Sequence, residues 1–122
     1  MISVMRPIAV VAAALLLTSA IGSAVAAVST GLAETGGFLL GNAHRCGVTA
    51  ARISDAGKVI HRLIVAASNG TSEQKSADLR FAEVFLASAY PNQDRRVSIP
   101  PCRAVVMQFE RLERHYREAG LN

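Results

Sequence analysis

Five side chains hold most of this chain's capacity for metal or nucleophilic chemistry: Cys46, Cys102, His44, His61 and His115. Their spacing matches no familiar constellation. No two histidines form an H-x-x-x-H pair, and there is no C-x-x-C redox pair. His44 and Cys46 are two residues apart, which on a helix sets them on different faces. A zinc site built from His44, Cys46 and Cys102 would need both thiols free. Nucleophilic catalysis is no better served, since the G-x-S-x-G elbow and the Walker-type glycine loop are absent. A glycosidase needs two carboxyls across a cleft. Of the nine acidic residues, only Glu83 is expected beside an apolar face. The expectation is a chain with no catalytic residue, no cofactor and no metal.

The two cysteines then read as a pair, and the start of the chain says why. Met1 to Arg6 carries one positive charge, Ile8 to Leu17 is an unbroken apolar run, and Ala24-Val25-Ala26-Ala27 closes a stretch of small residues. A basic start, a short apolar core and an A-x-A site are the parts of a secretory signal peptide. Cleavage is expected after Ala26, which removes 26 of 122 residues and leaves an exported domain of 96, residues 27–122. The alternative is an uncleaved anchor, because residues 8–28 are just long enough to span a bilayer. Ser19, Gly22 and Ser23 make that anchor a poor one. In an oxidising compartment two cysteines favour one disulfide, Cys46–Cys102, with a reactive or metal-binding thiol as the other reading. Closing a loop this long stabilises a small domain by about 4 kcal/mol in the chain-entropy account.

Charge narrows the partners. Without Arg6 the domain has 12 basic and 9 acidic side chains, a net +3. That favours solubility and does not point to nucleic acid. No stable membrane insertion is expected once the leader is removed. The expected location is the periplasm or outside the cell.

Four helices must position these residues. The first runs from a cap at Ser29 or Thr30 to Cys46, with Leu32, Leu39, Ala43 and Cys46 on one face. Gly36-Gly37 predicts a kink or a late start, since each interior glycine costs about 1 kcal/mol against alanine. Gly36, Gly41 and Ala43 would let a neighbouring helix approach closely. Gly47 suits the left-handed position after the helix end. The second helix starts from Thr49 and ends at Asn69-Gly70, with Asp55, Lys58 and Arg62 on its wet side. The third starts at Thr71 or Ser72 and ends at Tyr90, before Pro91. It is apolar around much of its girth, which predicts the most buried helix of the four. Pro91 to Pro100 is a polar loop with the adjacent pair Arg95-Arg96 at its tip.

The last helix has the clearest pattern. Pro101 suits its first turn. Cys102, Val105, Phe109, Leu112 and Tyr116 repeat at helical spacing. Glu110–Arg114 and Glu113–Arg117 form acid-first solvent pairs. No stretch alternates as a strand. The expected fold is all-α: a small four-helix up-and-down bundle with one disulfide, preceded by a signal peptide. Its predicted core is Leu39, Ala43, Ile53, Ile60, Ile64, Phe81, Val84, Phe85, Val105, Phe109 and Leu112.

Leu40-Gly41-Asn42-Ala43-His44-Arg45-Cys46-Gly47-Val48 resembles the LxGxAxxCGV opening of small exported proteobacterial helical proteins. Cys102 followed by Phe109-Glu110-Arg111-Leu112-Glu113 resembles their closing helix. The resemblance implies one bridge and a helical fold, and carries no activity or catalytic residue across. The leading expectation is therefore a non-catalytic exported protein that binds an envelope or extracellular partner, in the way of an accessory, inhibitor or immunity protein. Arg95, Arg96 and Arg103, near the bridge and the long loop, are the expected contact residues, since binding residues favour loops. The second expectation is a periplasmic metal- or small-ligand-responsive protein that uses the histidines and the cysteine pair.

Overall fold

A computed structural model describes residues 28–92 and 99–121. Among them the chain is all-helical and forms a helical bundle. Helix α1 covers residues 28–45, α2 Ala50–Ala67, α3 Thr71–Ala89 and α4 Cys102–Glu118. No strand occurs among the described residues, and no helix there is long and apolar enough to cross a membrane.

The glycine stops behave as their chemistry predicts. Gly47 follows α1 with φ 89°; its N–H donates to the His44 carbonyl, and the Val48 N–H donates to the Ala43 carbonyl. Gly120 repeats the device after α4 at φ 69°, with Gly120 N–H on Arg117 O and Leu121 N–H on Tyr116 O. Both are double-bonded left-handed stops that satisfy carbonyls the helix would otherwise leave open. Thr49 stands at the N-cap of α2 with extended backbone, although its side chain makes no capping bond. Pro101 is the N-cap of α4 and so lies just outside the helix it was expected to enter.

Contacts between helices fix their directions. His61 of α2 meets Asp78 of α3 across a short turn, so these two are antiparallel. Arg52 reaches Glu113 and Arg62 reaches the Leu121 carbonyl, so α2 and α4 run the same way. Gly37 lies against Phe81 and Gly41 against Phe85 and Ser88, so α1 and α3 run together. Cys46 at the end of α1 meets Cys102 at the start of α4. The chain therefore alternates up and down.

Two expectations are corrected here. The Gly36-Gly37 pair neither interrupts nor delays α1, which is helical from residue 28 to 45. The glycines instead form its seam with α3. A methyl group on Gly37 would lie 2.7 Å from the Phe81 carbonyl oxygen, and one on Gly41 would strike the Phe85 carbonyl and come within 2.7 Å of Ser88 Cβ. Backbone meets backbone here, and only glycine fits.

The second correction concerns α3. It buries only Ala77 and Ala89 and is not the most buried helix. By contrast α2 buries Ile53, Ala56, Val59, Ile60 and Ile64, and α4 buries Val105, Phe109 and Tyr116. Of the expected core, Ala43, Ile53, Ile60, Ile64, Val105 and Phe109 are buried, while Leu39, Phe81, Phe85 and Leu112 pack against it half-buried. Val84 is also half-buried. On α1 the stripe is Ala33, Leu40 and Ala43, one residue on from Leu32 and Leu39.

Candidate functional site

The bridge end of the bundle is built from the last turn of α1 and the segment entering α4. Cys46 and Cys102 lie at disulfide distance, with Cα atoms 5.3 Å apart, inside the range a bridge accepts. Arg45 ties the same two elements by a second route. Its Nη2 donates to the Pro100 carbonyl at 2.9 Å and to Asn42 Oδ1 at 3.0 Å, and its Nε donates to the same Oδ1 at 3.2 Å. Asn42 is buried and donates from Nδ2 to the Phe38 carbonyl at 2.9 Å. Arg45 Nη1 stands 3.5 Å from Cys102 Sγ. An amide and a guanidinium thus order Pro100 before the helix starts. The Pro100 partner of Arg45 is 55 residues away, and no local pattern announces it.

Beside this end runs a groove walled by Phe38 and Asn42 of α1, Leu86 of α3 and Tyr90 at its C-cap, and Ile99 and Pro100. Its apolar walls are open to solvent: Phe38 is 45% exposed, Leu86 56%, Tyr90 66% and Ile99 52%. Leu79, 65% exposed, extends the apolar surface two turns back along α3. Leu79 and Leu86 fall on the side of α3 turned away from the Gly37–Gly41 seam, as their spacing from Phe81 and Phe85 requires, and Tyr90 continues that side past the helix end. Tyr90 is steadied by His44, whose Nε2 lies 3.3 Å from its hydroxyl, with the rings edge-on.

Of the expected contact residues, Arg103 is exposed on the first turn of α4. Arg95 and Arg96 lie outside the described residues. The histidines do not converge: His44 pairs with Tyr90, His61 with Asp78 at 3.1 Å, and His115 is exposed beside Tyr116. No group of three His, Cys, Asp or Glu side chains able to hold a metal occurs among the described residues.

Glu113 does not join Arg117 in the expected solvent pair. It takes two hydrogen bonds from Arg52 of α2, whose guanidinium also stacks over the Phe109 ring at 5.3 Å. The hydrogen bond to Glu113 raises the Arg52 pKa, so this arginine stays charged. Arg80 is held in the same way by Glu34 first, and then by Glu83. Glu83 itself is exposed between Leu79 and Leu86. Burial alone raises the Tyr116 hydroxyl above its ordinary value of 10.0.

Comparison of this chain with protein-family models, with curated proteins and with solved structures finds no match.

Proposed function

We propose that this chain is exported, loses residues 1–26, and acts in the periplasm or outside the cell as a non-catalytic module that binds a partner protein. The carrying observation is the open groove at the bridge end, where Phe38, Leu86, Tyr90 and Ile99 are all about half-exposed or more. Contiguous exposed apolar surface rimmed by polar groups marks interaction sites, and aromatic anchors dominate their energetics. One wall of the groove is tied down, because Arg45 and the Cys46–Cys102 pair hold Pro100 against α1. Arg103, exposed on the first turn of α4, and the expected contacts Arg95 and Arg96 favour a partner that sets an apolar ridge next to carboxylates. Such a partner suits an accessory, inhibitor or immunity role. The LxGxAxxCGV resemblance is compatible with this reading and adds no activity.

The address is tested by intact mass of the protein recovered from the producing cell, with and without reduction. A species beginning at Ala27 and two hydrogens lighter before reduction is expected. A full-length or thiol-bearing species contradicts it. The surface is tested by placing a photo-crosslinking residue at position 86, 90 or 111. One shared adduct from 86 and 90, absent from 111 and abolished by Phe38→Glu, is expected. Equal adducts from all three positions, or only a dimer of this chain, would overturn the proposal.

A further inference from the structure

The two sulfurs of the bridge sit in unlike surroundings. Cys46 lies just past the last turn of α1, and Cys102 is the first residue of α4. A helix C-terminus disfavours negative charge on a sulfur, and a helix N-terminus favours it. Arg45 adds to the same difference, with Nη1 standing 3.5 Å from Cys102 Sγ. Its other nitrogens are committed. Nε and Nη2 donate to Asn42 Oδ1, and Nη2 also donates to the Pro100 carbonyl. Asn42 is itself buried and anchored on the Phe38 carbonyl. The remaining nitrogen is therefore aimed at the sulfur by a fixed frame. A bonded sulfur is a weak acceptor, whereas a thiolate in the same place would take a charge-assisted hydrogen bond.

Charge at this end has one sign. The ionisable side chains that α1 and α4 bring near their cysteines are His44, Arg45 and Arg103. The nearest carboxylates on those two helices are Glu34 and Glu110, more than three and two turns away. On α2 and α3 the carboxylates nearest this end are Asp55 and Glu83. Cys102 is exposed and Cys46 half-buried, so the pair is open to a reagent in solution.

We infer that the Cys46–Cys102 bridge is a thiol-exchange site, opened by a dithiol, in which Cys102 is the leaving sulfur and Arg45 holds the thiolate it becomes. One thiolate of the dithiol attacks Cys46 Sγ. The bond to Cys102 breaks, and its electron pair leaves as the Cys102 thiolate beside Arg45. The reagent's second thiol, deprotonated, then displaces Cys46 and closes the reagent's own disulfide. Two electrons pass to the pair. Of the two protons the reagent gives up, one ends on Cys46 and one goes to solvent. The site does not depend on the partner-binding groove.

The test is the rate at which dithiothreitol reduces the oxidised protein at pH 7, read by alkylating the freed thiols and measuring the mass. Arg45→Gln should slow reduction about threefold, because a poorer leaving thiol departs more slowly, and Arg45→Lys should restore most of the rate. If Arg45 were a clamp alone the sign would reverse, since losing its bonds to Asn42 and Pro100 would loosen this end and speed attack. Glutathione added briefly and quenched in acid should be found on Cys46, with Cys102 free. A rate unchanged or raised in Arg45→Gln would overturn the inference, and so would glutathione found on Cys102.

Discussion

Helices α3 and α4 are nearly equal in length and differ in how they use their apolar side chains. In α4 these residues lie in one stripe, and the stripe goes inward as Val105, Phe109 and Tyr116. In α3 they are spread around the helix. One side meets α1 through the bare backbone of Gly37 and Gly41, and the other leaves Leu79, Leu86 and Tyr90 in solvent. A hydrophobic stripe has a direction and so tells where a helix faces, whereas hydrophobic content has none. α4 is a helix the fold consumes. α3 is a helix the fold holds by one face, which leaves Leu79, Leu86 and Tyr90 open to solvent on the other.

The largest effect should come from the consumed side. Phe109 is wholly buried, and Phe109→Ala should lower unfolding stability by about 3–5 kcal/mol in urea titration. Gly41→Ala strikes the α1–α3 seam and should cost about 2 kcal/mol, because the overpacking outweighs the ~1 kcal/mol of helix propensity gained. The same change at Gly57, where a methyl group has room, should stabilise by up to about 1 kcal/mol. Opposite signs for one substitution at two helical glycines would establish the seam. Equal signs would remove it.

Tyr116 gives a subtler contrast. Burial raises its hydroxyl pKa, so the folded state favours the neutral form. The sign follows: this contribution is complete below the unfolded value near 10 and is lost as pH rises through the higher folded value. Tyr116→Phe should flatten the fall of thermal stability above pH 10, measured by thermal melts across that range.

The helices and most of their ends could be read from the chain, because each stop is local chemistry: Gly47 and Gly120 in left-handed turns, Thr71 opening α3, Pro101 ahead of α4. The cysteine pair was legible from type and number, and its placement at the two helix ends followed. The Gly36-Gly37 reading went astray because propensity counts what a glycine costs its own helix. The compensating contact with Phe81 and Phe85 lies more than 40 residues on. Arg52–Glu113, His61–Asp78 and Arg45–Pro100 were hidden for the same reason, since local pattern pairs residues three or four apart and these partners are far along the chain. The expected contact arginines were placed by their nearness in sequence to the bridge and the long loop. Arg103 is exposed, while the apolar walls of the groove come from three separate segments.

The central claim is that the outer face of α3 takes no part in folding. Equilibrium urea unfolding of the double variant Leu79→Gln/Leu86→Gln tests it, because glutamine keeps helix propensity and removes only the apolar surface. Stability within about 0.5 kcal/mol of the unaltered protein is the predicted result, as for exposed sites generally. A loss of about 2 kcal/mol or more, the scale of a buried leucine, would show that this face is already covered within the chain and would contradict the account.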